Sequence, residues 1–72
     1  MPVEDQPRIA QEALVAVTIA VKKAKRNRAT LTVNIEAERI HRLFPDSNLS
    51  REYLEAEMIR LGVSDHVTMQ FG

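Results

Sequence analysis

Between Ile9 and Ala24 the apolar residues return with helical spacing, and this stretch constrains the chain more than any other. On a wheel of about 100° per residue, Ile9, Ala10, Ala13, Leu14, Ala16, Val17, Ala20, Val21 and Ala24 form one continuous stripe. The spacing predicts a helix over residues 7–26. Asp5 or Gln6 can cap it, and Pro7 suits a first turn because it has no amide hydrogen to satisfy there. Residues 1–6 are expected to be disordered. The many alanines permit close approach of a neighbouring element. A strand competes for residues 13–21, since Val15, Val17, Ile19 and Val21 alternate with Ala16, Thr18 and Ala20 and β-branched residues favour strands. The helix is preferred because the wheel accounts for nine positions and no hairpin turn follows.

Downstream, residues 30–35 read as a strand with Leu31, Val33 and Ile35 on one face. A second helix is expected from residue 34 or 35 to 44, capped by Asn34, with Ala37, Ile40, Leu43 and Phe44 as its apolar stripe and Pro45 as its stop. After a turn at residues 45–48, a third helix runs from residue 49 or 50 to 61, with Leu54, Met58 and Leu61 facing inward. Gly62 would supply its left-handed C-terminal cap. Val67, Met69 and Phe71 then alternate with Thr68 and Gln70 as a closing strand. Unpaired strands leave backbone groups unsatisfied, so the two strands are expected to pair and to carry the helices on one sheet face. The class is a small single α+β domain, in the order helix, strand, helix, helix, strand. That order is similar to the start of a winged-helix domain, truncated where the third strand of the wing would begin. The similarity lies in the order of elements and not in particular residues.

With 72 residues, no cysteine, no tryptophan and 4% aromatic content, the core must come from Val, Ile, Leu, Ala and Met. A domain so small and without disulfides gains stability by self-association. Val15 and Ile19 fit that expectation. They stand one turn apart on the otherwise polar face of the first helix, among Arg8, Gln11, Glu12, Lys22 and Lys23. Ile59 is a third apolar residue outside its helix's stripe. The three are the candidate protein-interaction residues, for a second copy or another protein.

Net charge is zero but unevenly placed: residues 1–21 carry −2, residues 22–28 carry +5 and residues 29–72 carry −3. Only the basic segment offers phosphate contacts. Its Lys22, Lys23, Lys25, Arg26 and Arg28, with Arg51 on the third helix, are the nucleic-acid-binding candidates of an alternative reading, a helix-turn-helix regulator. No aromatic is interleaved for base stacking, and Glu52, Glu55 and Glu57 on the third helix would repel phosphates.

Enzyme chemistry has little to work with. Glu38 lies one turn before His41, and Asp65 adjoins His66, but neither makes a dense metal-ligand set. Ser47, Ser50 and Ser64 lack the glycine-flanked elbow of a nucleophile. No catalytic residue, metal, cofactor, small-molecule substrate or membrane partner is expected. The acidic N-terminus lacks the pattern of a signal peptide, and the apolar runs are short of the ~20 residues a span needs, so a cytoplasmic location is expected. The whole reads as a non-enzymatic regulatory or interaction module.

Overall fold

The computed structural model describes the backbone of residues 2–72 and the side chains from residue 8 onward. Helix α1 spans Pro2–Asn27, strand β1 Leu31–Thr32, helix α2 Val33–Leu43, helix α3 Arg51–Ser64 and strand β2 Met69–Gln70. This is a small α+β arrangement in the expected order, and residues 13–21 are helical. Helix α1 starts at Pro2 and not at residue 7, so residues 2–6 are helical against the expected disorder, and Asp5 and Gln6 lie within the helix and do not cap it. Pro2 suits the first turn for the reason given for Pro7.

The stripe of α1 buries Ala13, Val17, Ala20, Val21 and Ala24 against α2 and α3. Alanine at three of these positions lets the backbones come close. From α2 come Val33, Ala37 and Ile40, and from α3 Leu54 and Met58. Leu31 and Val67 close the end next to the strands. Val17, Val21, Val33, Ile40, Leu54 and Met58 are the largest fully buried side chains, each contributing roughly 1.5–3 kcal/mol of apolar burial. Leu61 and Ile59 pack partly buried on the same cluster.

The strands depart from expectation. They do pair, parallel, with Leu31 opposite Met69 and Thr32 opposite Gln70. Two residues each, however, make a clip rather than a platform, and the core is helix on helix. A parallel pair needs a long crossover, which α2 and α3 supply. Chain direction turns helical at Val33, so β1 ends before Ile35 can join it. Ile35 is therefore exposed on α2 instead of facing inward from a strand, and Phe71, beyond the end of β2, is exposed too. Thr32, not Asn34, is the N-cap of α2, and its side chain makes no capping bond. Starting the helix at Val33 makes residues 33, 37 and 40 the buried row, which leaves Leu43 exposed. Phe44, ahead of Pro45, leaves the helix with φ −128° while its N–H still reaches the Ile40 carbonyl at 3.0 Å.

Ser47 is buried in the turn, where its Oγ accepts from the Leu49 N–H at 3.2 Å. Ser50 caps α3 by accepting from the Tyr53 N–H at 3.1 Å. Helix α3 continues past Gly62 to Ser64, so this glycine is not a left-handed cap. Its bare α-carbon instead makes room for Met69, whose thioether would have to shift for a β-carbon that would otherwise lie 2.6 Å from Sδ.

The left-handed positions fall elsewhere. At the end of α1, the Arg28 N–H donates to the Lys25 carbonyl and the Ala29 N–H to that of Ala24. At the end of α3, the His66 N–H donates to Val63 and the Val67 N–H to Gly62. Both are Schellman closures. In each the left-handed residue is not glycine: Arg28 has φ 53° and His66 φ 58°, a conformation costing an L-residue roughly 1–2 kcal/mol.

Candidate interaction surface

The amphipathic pattern of α1 turns Val15 and Ile19 away from the core, and they remain 49% and 60% exposed. Helix α2 lies alongside and presents Ile35 and Leu43, each 58% exposed. Three shallow grooves of about 420, 530 and 410 Å³ join these residues. Val15, Ala16, Ile19 and Phe44 line the first, Ile19 and Ile35 the second, and Ile35 and Leu43 the third. Ile19 and Ile35 are each shared by two grooves, so the grooves adjoin across the two helices, although Lys23, Asn27, Thr30, Thr32, Glu36 and Arg39 also line the second.

The rim carries both signs of charge. Arg8 and Glu12 border it on α1. On α2, Arg39 pairs with Glu36 at 2.7 Å and Arg42 with Glu38 at 3.0 Å. These pairs lie within one helix and are exposed, which limits each to about 0–1 kcal/mol. Their effect is to leave the border nearly neutral.

Of the three apolar interaction candidates, the fold puts Val15 and Ile19 together and Ile59 apart. Ile59 is half-buried on α3 against the core and lines none of these grooves. Ile35, Leu43 and Phe44 join the surface without having been singled out. Their signal lay in the placing of the start of α2.

The basic segment is divided by the fold. Lys22 Nζ meets Asp65 Oδ2 at 2.8 Å, joining the last turns of α1 to the turn after α3. The hydrogen bond from Lys22 holds the Asp65 carboxyl below its ordinary value. Lys23 borders the second groove, while Lys25, Arg28 and His66 line one small hollow. Arg26 is exposed. Arg51 is the first residue of α3 and Asp65 the first beyond its last, so Arg51 sits about 20 Å along the helix from the Lys22 ion pair. It faces Glu55 at 3.7 Å. Arg60 grips Glu57 through two hydrogen bonds of 3.2 and 3.0 Å, which hold the Glu57 carboxyl below its usual range. The two arginines of α3 thus pair with two of its three glutamates, which leaves Glu52 over and the helix with a net charge of −1.

Among the described residues no three His, Asp or Glu side chains come together as a metal site, and no helix is long and apolar enough to cross a membrane. Comparison with protein-family models, curated proteins and solved structures finds no match for this chain.

Proposed function

We propose that this chain is a small, non-enzymatic interaction module that self-associates through the α1–α2 face. The observation that carries the reading is the set of exposed apolar side chains Val15, Ile19, Ile35 and Leu43 along adjoining grooves of α1 and α2. Isolated exposed apolar residues are ordinary, but a joined set of this kind on a small domain marks a contact surface. A second copy is the occupant favoured by charge and size. The net charge is zero, so two copies do not repel, and a rim with both signs can complement itself across a two-fold axis. The molecule is 41 Å long and 21 Å wide, so the ~800 Å² that each partner gives to a standard interface would take up nearly the whole of its long side. Sedimentation over a wide concentration range tests this. The wild type is expected to shift from monomer to dimer, and V15D/I19D to stay monomeric with its helix content intact. A wild type monomeric at every concentration would refute the self-associating form.

A second reading, a truncated winged-helix DNA-binding regulator, draws support from Lys23, Lys25, Arg26 and Arg28, which stand in no ion pair among the described residues. Against it stand the net negative charge of α3, whose two arginines are paired with its own glutamates, and the distance of Arg51 from the cluster. Retention on a duplex at low salt, weakened by charge reversal at Lys23, Lys25 and Arg26, is its test; absence of retention ends it.

A further inference from the structure

We propose that the small pocket between the C-terminal ends of α1 and α3 is a seat for a phosphomonoester dianion, held by Lys25, Arg28 and His66. Three observations meet there. The pocket encloses about 230 Å³, and Lys25, Arg28 and His66 line it together with the hydroxyl-bearing Thr30 and Thr68. Its lining contains no carboxylate. The adjacent acid, Asp65, is paired with Lys22 at 2.8 Å and also lies within electrostatic reach of Lys25 and His66. Lys25 and Arg28 stand in no ion pair among the described residues. Two cationic residues, a histidine and two threonines therefore border a single small hollow.

The backbone supplies the independent argument. Arg28 and His66 occupy the left-handed position of two separate helix closures, with φ 53° and 58°. Glycine is the unstrained residue at such a position. Strain kept at two sites that border one pocket points to a use for the side chains. At α1, balancing the negative helix end does not require Arg28, because Lys25 and Arg26 already lie in its last turn and carry no such strain. The same does not hold for His66, because α3 has no basic residue in its last turn. The pocket is too small for a length of nucleic-acid backbone, but it suits one terminal phosphate, whose oxygens accept charge-assisted bonds from guanidinium and ammonium.

The test uses amide chemical shifts of the full chain at constant ionic strength, titrated with inorganic phosphate, with phenyl phosphate, and with a duplex lacking terminal phosphates. Saturable shifts confined to Lys25, Arg28, Thr30, His66 and Thr68 are expected with both phosphates. A response to inorganic phosphate alone assigns the seat to the free ion, and a response to both assigns it to a monoester group. R28G and H66G distinguish recognition from structure. Each is expected to raise Tm by roughly 4–8 °C through relief of strain, and R28G to weaken phosphate binding about tenfold. Shifts that chloride reproduces, unchanged affinity in a stabilised R28G, or binding of the duplex without binding of either phosphate would each overturn the proposal.

Discussion

Lys22 and Asp65 meet at 2.8 Å across the ends of α1 and α3, the one ion pair among the described residues that joins different elements. With the Arg60–Glu57 pair, it is one of two contacts that make the fold sensitive to acid. The hydrogen bond from Lys22 lowers the Asp65 pKa below its ordinary 3.8 in the folded chain. The folded state consequently binds fewer protons than the unfolded one in this range. The contribution of the pair is complete above the unfolded value and is lost as pH falls through the lowered folded value. Urea unfolding of wild type and K22M across the acid range should show a shallower acid limb in K22M. Identical limbs would mean that the pair contributes nothing.

Gly62 and Met69 should be energetically coupled. An alanine at 62 improves helix propensity by about 0.8–1 kcal/mol, but its β-carbon would fall 2.6 Å from Met69 Sδ, so the thioether must move. G62A is expected to gain little or lose stability in the wild type and to gain close to the full propensity term in an M69A background. A double-mutant cycle by urea denaturation should therefore give a coupling of at least about 0.5 kcal/mol. A smaller value would mean that Met69 swings away at no cost.

How far the sequence was legible depends on how many positions vote for each element. Nine apolar residues on one wheel outweighed the alternation of Val15, Val17, Ile19 and Val21, and the helix is there. The strands had fewer votes. Residues 30–35 alternate well, yet Val33 is buried whether it ends a strand or opens a helix, so alternation alone could not place the boundary. That two-residue uncertainty hid much of the candidate surface, because a start at Val33 selects Val33, Ala37 and Ile40 for the core and expels Ile35 and Leu43. Gly62 misled for a related reason. Glycine near a helix end reads as a cap, but here the restriction comes from Met69, seven residues away, which no local pattern encodes. Arg28 and His66 take left-handed conformations that their side chains give no reason to expect.

Core truncation should be close to unfolding the chain. Ile40 and Leu54 are fully buried at the centre of the helix contacts. Replacing either with alanine costs about 2–5 kcal/mol, against a total of roughly 4–11 kcal/mol for a chain of this length. I40V, which removes one methylene, should cost only about 0.5–1.5 kcal/mol. Midpoints of urea denaturation measure all three. A small loss for both alanine variants would show that the helices repack around the cavity.

The two isoleucines Ile35 and Ile59 separate surface from core. Ile35 is 58% exposed on α2 and lines two of the grooves, whereas Ile59 is half-buried on α3 against the core cluster. An aspartate at 35 removes apolar surface that is already in water, so I35D should keep the monomer's stability within about 0.5 kcal/mol while weakening self-association. An aspartate at 59 puts a carboxylate partly into apolar surroundings, where desolvation opposes its charge. I59D should therefore lower the denaturation midpoint directly. Denaturation at a concentration low enough to keep the wild type monomeric, paired with sedimentation at high concentration, resolves the two effects. If I35D left association intact and I59D alone abolished it without destabilising the fold, the contact surface would belong on α3 instead.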